Sequence, residues 1–330
     1  MDPLAQAALV FLISSVAVLY AGVGLARYGD ELAEKTGWGK LWVGTALVSV
    51  ATSLPELTVN VSAVWLEDAP DLALGNVLGA NMINIVVLSV VALLFGVTNL
   101  FGRQGRDTEI LVRVGIALVA VSAIAGASGD AKLGPTSLGA LAILALYIMG
   151  MRAVYRAGRT HADLHDIPAP TGRTLRTWIA FGLSALVVIV AARFLASSAE
   201  RIAELTGISA SFIGVLLVAL VTTLPEGAVT VAAALRKSYG IVVGNVYGSC
   251  AFNVAILFLG DLFYRKGPLL GAMQDEHFVA AASAILLMGM GYLIIRGSTH
   301  RRMAWAQKLT PAVPLVYFGA LYFVFTLGQG

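Results

Sequence analysis

Ten stretches of about 18–25 residues are almost wholly apolar, at roughly 4–26, 41–65, 72–98, 109–127, 133–151, 175–196, 207–235, 240–263, 276–295 and 309–328. Each is long enough to cross about 30 Å of hydrocarbon at a rise of about 1.5 Å per residue. Hydrocarbon gives a peptide group nothing to bond to, so segments of this length must close their hydrogen bonds internally, as helices. The expected fold class is therefore an all-α integral membrane protein with ten transmembrane helices. Composition agrees: 58% of the 330 residues are hydrophobic and 12% are charged, against about 25% charged in a soluble domain. The start "MDPL" has no basic n-region, so the first stretch reads as a membrane helix and not as a cleaved signal peptide. The single cysteine, Cys250, excludes an intrachain disulfide and supplies no metal-ligand spacing. A formal net charge of +3 carries no nucleic-acid signature; the expected environment is a lipid bilayer.

The 22 basic residues are sorted unevenly. The loops between spans 1–2, 3–4, 5–6, 7–8 and 9–10 hold 17 of them, and the opposite side holds 5: Lys132, Arg193, Arg201, Arg265 and Lys266. The positive-inside rule then predicts both termini outside and the long connector between spans 5 and 6 in the cytoplasm, in what is expected to be the cell (inner) membrane. That connector, with its prolines and few apolar residues, divides the chain into residues 1–155, a 156–173 linker and residues 174–330.

The two halves repeat each other. "GTALVSVATSLPE" (Gly44 to Glu56) aligns with "GVLLVALVTTLPE" (Gly214 to Glu226) at an offset of 170, and "GNVLGANMIN" (Gly75 to Asn84) aligns with "GNVYGSCAFN" (Gly244 to Asn253) at an offset of 169. Five spans per half is an odd number, so the second copy must enter the membrane from the opposite side. The prediction is two inverted five-helix repeats, an architecture that places a binding site near the midplane where the repeats meet.

Each repeat sets a proline and an acid inside apolar sequence. Pro55 lacks an N–H and releases the Ala51 carbonyl from a helix; Pro225 does the same for Val221. Thr52 and Glu56, like Thr222 and Glu226, are four apart, which puts hydroxyl and carboxylate on one helical face. An ionised acid near the bilayer centre costs about 2.5–3.5 kcal/mol or more, so two acids at equivalent positions point to an ion site. The ligand set is all oxygen, the kind that suits a hard cation such as Ca²⁺, and no Cys/His cluster suggests a softer metal. On the neighbouring spans, Asn76, Ala80 and Asn84 form one stripe at spacing four, and Asn245, Ser249 and Asn253 form its counterpart. The glycines Gly75, Gly79, Gly244 and Gly248 let helices approach closely.

These paired motifs resemble the repeats of the cation/Ca²⁺ exchanger superfamily, and its sodium/calcium exchanger branch most closely. The resemblance implies a secondary active antiporter, not an enzyme, which exchanges Ca²⁺ for Na⁺ by alternating access without a cofactor; a monomer can suffice. Carried over by position, it implies Glu56 and Glu226 as Ca²⁺-coordinating acids, joined by Thr52 and Thr222. It also implies that Ser53 and Thr223 serve flanking Na⁺ sites with backbone carbonyls near Ser49 and Ala219, while Asn84, Ser249 and Asn253 line the cavity. Ala80 stands where the family often has serine, and Asn253 where some members have aspartate; the second departure argues against K⁺ coupling.

Three other readings compete. Ca²⁺/H⁺ exchange would use the same scaffold, since buried acids can hold protons. A passive channel would share the ligands and differ in carrying flux without a counter-ion. An intramembrane protease would need a second membrane aspartate to partner Asp261, and the sequence has none; it has no HExxH either. "HADLHD" (His161 to Asp166) in the connector reads as a solvated loop, Cys250 as a packing residue, and the five tryptophans as interfacial anchors.

Overall fold

The computed structural model describes residues 2–66, 68–161, 174–206, 220 and 222–327. Ala219, Val221 and the connector residues Asp163, His165 and Asp166 lie outside the described residues. The chain is almost entirely helical: α1 (Pro3–Thr36), α2 (Lys40–Val43), a π-helical turn (Gly44–Val48), α3 (Ser49–Thr52), α4 (Leu54–Trp65), α5 (Pro70–Phe95), α6 (Val97–Phe101), α7 (Arg106–Ala127), α8 (Leu138–His161), α9 (Leu175–Thr206), α10 (Leu224–Leu235), α11 (Tyr239–Phe263), α12 (Asp275–Thr299) and α13 (Ala312–Leu327). Six helices are long and apolar enough to cross a membrane. Among the described residues Lys40–Thr52 and Leu54–Trp65 together are long and apolar enough for a seventh crossing, as a pair bent by 45°, and Leu175–Ala191, Leu224–Leu235 and Ala312–Val324 are shorter apolar helices. Each overlaps one of the ten predicted stretches, which is consistent with ten spans; residues 207–219 of the seventh stretch lie outside the described residues. One small departure from an all-helical chain is a hairpin after α7, where β1 (Lys132–Leu133) pairs antiparallel with β2 (Thr136–Ser137).

The chain divides into two compact units, and each draws on both sequence halves: Met1–Glu56 with Ala162–Ser249, and Leu57–His161 with Cys250–Gly330. In the first unit α1 packs along α9 and also against α10. Small residues permit this. A Cβ on Gly22 would fall 2.8 Å from the Ala228 Cβ, and one on Gly24 would fall 2.6 Å from Ser184 Oγ. The opposite face of α1 exposes Leu9, Leu12, Ile13, Val16, Leu19, Tyr20 and Val23. Their three-to-four spacing marks one continuous apolar stripe along the helix. At its C-terminal end α1 is tied down by Asp30, a buried carboxylate that takes Lys40 Nζ at 2.7 Å, Ser238 Oγ at 2.6 Å and Arg236 Nη2 at 3.4 Å. One acid thereby joins the end of α1, the start of α2 and the turn after α10.

In the second unit α12 packs against α5, α7 and α13, and α7 lies against α8. Asp261, near the end of α11, is buried yet fully engaged. Its Oδ2 accepts from Thr136 Oγ1 and the Ser137 N–H, both at 2.7 Å, and its Oδ1 accepts from the Leu269 N–H at 2.7 Å. It therefore pins the hairpin and the segment after α11, a structural role that leaves no reactive oxygen for the protease reading. Asp261→Ala strands these donors at about 1–3 kcal/mol each. Thermal unfolding of the purified protein should show a clear fall in midpoint, and an unchanged midpoint would refute the pinning role.

Candidate cation site

The proline–glutamate motifs shape the backbone as helix starts more than as kinks. α3 ends at Thr52; Ser53 turns with φ −89° and ψ 10°, and α4 begins at Leu54. In the second repeat Thr223 turns with φ −82° and ψ −5°, and α10 begins at Leu224. Both turns sit in the bridge region between helix and strand. Proline belongs in a helix's first turn, where its missing N–H has no intrahelical partner to lose. Glu56 and Glu226 accordingly fall in the first turns of α4 and α10, at the positive end of the helix dipole with unspent backbone N–H groups nearby. The sequence pattern of an acid in greasy surroundings is thus resolved locally by a helix N-terminus.

The helix break also changes which hydroxyls meet which acid. Thr52 and Glu56 would share a face of one continuous helix, but they lie on opposite sides of the break. The pairing is instead reciprocal between repeats, and all of it lies within the first unit. Ser53 Oγ of the first repeat donates to Glu226 Oε1 of the second at 2.8 Å. Ser249 Oγ donates to the same oxygen at 3.3 Å, and the Thr52 hydroxyl acts on Glu226 as well. In return Glu56 feels the Thr222 hydroxyl and the charge of Glu226. The two acids, 170 residues apart in sequence, are therefore within electrostatic reach of each other.

The shell around them is dense and dry. Ser49, Thr52, Ser53, Glu56, Thr222, Glu226, Asn245 and Ser249 are fully buried, and Thr223 nearly so. Thr52 Oγ1 lies 3.1 Å from the Ser49 carbonyl and 3.3 Å from Asn245 Oδ1. Asn245 Nδ2 donates to the Glu226 carbonyl at 3.2 Å and to Thr230 Oγ1 at 3.1 Å, holding α11 against the first turns of α10. Close approach of the broken span to α11 depends on missing side chains. A Cβ on Gly44 would fall 2.9 Å from the Ile241 carbonyl oxygen, and one on Gly248 would fall 2.8 Å from Ser49 Oγ. Just before the site, the wide π-helical turn Gly44–Val48 loosens the helix, a feature common near functional residues.

Among the described residues no salt bridge reaches either acid, and neither Glu56 oxygen nor Glu226 Oε2 takes a hydrogen bond of normal geometry. Removing an ion from water carries a penalty of several kcal/mol, even after relaxation, so carboxylates left this way call for a cation or a proton. The ordered hydroxyls and the Ser49 carbonyl supply further neutral oxygens.

The remaining predicted residues stand in the second unit. Asn84 is fully buried with both amide atoms unpaired, and Asn253 donates through Nδ2 to Asn81 Oδ1 at 3.3 Å and leaves Oδ1 unpaired. Cys250 is buried, with its sulfur 3.8 Å from the Asn81 carbonyl, as expected of a packing residue. Sequence reasoning passed over Asn60, Thr230 and Asn81. The repeat offset could have flagged the first two, because both sit four residues after an acid at matching positions.

The site's geometry can be set beside known proteins. The family described as sodium/calcium exchanger protein matches residues 6–155 and 176–329, nearly the whole of both halves. The inner membrane protein YrbG of Escherichia coli (strain K12) is 29% identical over 257 residues, covering 75% of this chain and 77% of that protein. The sodium/calcium exchanger MaX1 of Methanosarcina acetivorans is 26% identical over 325 residues, 85% of this chain and 90% of that one. A solved structure of the sodium-calcium exchanger NCX_Mj, soaked with Na⁺ and Sr²⁺, shares the fold at a TM-score of 0.75 and 23% identity, with 96% of this chain and 99% of that chain covered. A helical membrane fold, two copies of one motif and a family match across both halves lead to one conclusion: the chain belongs to the sodium/calcium exchanger protein family and is a membrane cation antiporter, not an enzyme.

Proposed function

We propose that this antiporter exchanges Ca²⁺ for Na⁺ by alternating access, with both ions competing for the Glu56–Glu226 pair. The observation that carries the reading is this pair of fully buried carboxylates, each facing hydroxyls of the other repeat and together leaving three oxygens unpaired. Two negative charges are balanced by one Ca²⁺ or by two monovalent ions, so a pair that accepts either load gives antiport. Thr52, Thr222, Ser49 and Ser249 are assigned as neutral ligands beside the acids, Ser53 and Thr223 to flanking Na⁺ positions, and the carbonyl near Ala219 to the second-repeat equivalent of Ser49. Asn253, one turn beyond Ser249 on α11, and its repeat counterpart Asn84 each keep an unpaired amide oxygen and are given the same lining role. No resident cofactor is assigned. The name of the relative MaX1 supports Na⁺ as coupling ion. A load of three Na⁺ would leave the site net positive, and transport would then be electrogenic, coupled to the membrane potential by about 2.3 kcal/mol per charge for each 100 mV.

The halves 1–155 and 174–330 are taken as the inverted repeats, with the 156–173 connector in the cytoplasm and both termini outside, in line with the division of basic residues. The moving elements assigned are α1 and α9. They open the two halves, pack along each other within the first unit, and α1 carries an unbroken lipid-facing stripe.

Reconstituted ⁴⁵Ca²⁺ uptake under separately imposed Na⁺, K⁺ and H⁺ gradients tests the reading. Uptake should follow the Na⁺ gradient alone; uptake driven by H⁺ would replace the coupling ion, and flux without any counter-gradient would make the protein a channel. Glu56→Gln and Glu226→Gln should each abolish uptake while leaving a folded, monodisperse protein, and wild-type flux in either would remove the site assignment. Ser53→Ala takes away the 2.8 Å donor to Glu226. Its expected effect is a shift of roughly tenfold to a hundredfold in the Na⁺ concentration that half-inhibits Ca²⁺ uptake, in keeping with the about 1.5–3 kcal/mol of a hydrogen bond to a charged group.

A further inference from the structure

A second polar feature lies far along the chain from the acids and has no part in the exchange chemistry. Where the N-terminal end of α7 meets the C-terminal end of α12, a cleft of about 520 Å³ is lined by Gln104, Arg106, Glu109, Ile110, Arg113, Thr299 and His300, with Gly105 at its floor. All of these residues belong to the second unit. From this cleft we infer a binding site for a phosphate-bearing anion, and the occupant that its shape and position favour is the headgroup of an anionic phospholipid.

The charge balance is the first argument. Glu109 is the one acid on the cleft wall, and it is already neutralised twice. Arg113 Nη2 lies 2.9 Å from Glu109 Oε2, and Arg296 Nε lies 3.7 Å from Oε1. Tyr292 holds this arrangement in place: its hydroxyl accepts from Arg113 Nε at 3.1 Å, and its ring lies under both guanidinium groups at 5.4 and 5.9 Å. Asp107, in the first turn of the helix, accepts from the Thr108 N–H at 2.9 Å and does not line the cleft. Arg106 and His300 are left over. Both are exposed at the cleft, and among the described residues neither side chain has an ion-pair partner. The surplus in the cleft is therefore positive, beside Gln104, whose amide nitrogen donates to the Leu100 carbonyl, and Thr299, whose hydroxyl is turned to the carbonyls of its own helix. Guanidinium groups suit phosphate oxygens because their forked N–H groups meet them two at a time.

Position is the second argument. The cleft opens at the ends of two apolar helices, on the face where the 3–4 and 9–10 loops contribute to the basic majority of the chain. Basic pockets between membrane helices on that face meet a leaflet rich in anionic lipid. Ile110 gives the cleft an apolar wall on the membrane side of Arg106, which a headgroup with its glycerol and first methylenes would cover and a free phosphate would not. The site rests on the proposed topology of the basic loops but not on the identity of the transported ion, so a failure of the exchange reading would leave it standing.

The test uses the full-length purified protein in nonionic detergent. Thermal unfolding is followed with dioctanoyl phosphatidylglycerol, dioctanoyl phosphatidylcholine or inorganic phosphate, for the wild type, for the Arg106→Gln/His300→Gln double variant and for Arg103→Gln, an exposed arginine of the same loop outside the cleft. Phosphatidylglycerol should raise the midpoint by several degrees in the wild type and in Arg103→Gln, but not in the double variant, and phosphatidylcholine should do nothing. An equal rise with inorganic phosphate assigns the site to a free anion instead of a lipid. A rise that survives in the double variant, or is lost equally in Arg103→Gln, reduces the effect to general surface charge and overturns the proposal. Native mass spectrometry of the wild type needs no variant; it should retain one phosphatidylglycerol per chain, and retention of none equally overturns the site.

Discussion

An acid that has lost its water must be answered by something charged, and the centre of this molecule is arranged around that demand. Glu56 and Glu226 are shut away from solvent and receive only neutral partners. Hydrogen bonds from serine and threonine orient a carboxylate but cannot cancel its charge in a medium of low polarity. The fold does supply a partial answer, since each acid stands in the first turn of a helix, where unspent backbone N–H groups and the helix dipole favour an anion. The dipole's contribution, about 0.3–2 kcal/mol, is small against a burial penalty of several kcal/mol. In the proposed reading such a pair is held ready for a mobile charge, and a site that the protein's own groups do not satisfy is one from which ions can also leave.

The exchange of partners between repeats explains why the motif has to occur twice. A single broken span could present one carboxylate and one set of hydroxyls, with Thr52 at the end of α3 and Glu56 at the start of α4. Only a second copy running the other way brings hydroxyls from before one break to the acid after the other. Ser53 facing Glu226 and Thr222 facing Glu56 are the two halves of that arrangement. The glycines of α11 serve it directly, because the broken span must lie almost backbone to backbone against that helix for Thr52 to reach Asn245.

Much of this was legible in the linear sequence, for identifiable reasons. Membrane spans are written in length and apolarity, and the repeat is written in two offsets that differ by one residue. The acids stood out because hydrocarbon makes an ionisable side chain costly wherever it occurs. The pairing of Thr52 with Glu56 could not be read from periodicity, which holds only along an unbroken helix, and a new helix begins at Leu54. Asp261 illustrates a different limit. Its partners are two backbone N–H groups and a hydroxyl from segments 8 and about 125 residues away, and backbone donors leave no trace in a motif. The compact units were equally hidden, since the boundaries after Glu56 and Ser249 fall inside helices where composition does not change.

Sequence symmetry also overstates structural symmetry, and the difference has physical content. At equivalent positions the second repeat closes Asn245 onto Thr230 and the Glu226 carbonyl. In the first repeat Asn76 has neither amide atom paired, and Asn60 turns its amide to the Ala73 carbonyl at 3.1 Å and leaves Oδ1 free. Two inverted copies with identical internal bonding would present the same opening to both sides of the membrane, and the barrier between two compartments would be lost. An alternating-access protein must therefore differ between its repeats in any one state and be able to exchange the difference. Marginal bonds between neutral amides and hydroxyls, near about 1 kcal/mol each, suit that requirement, since they are strong enough to hold a state and weak enough to trade.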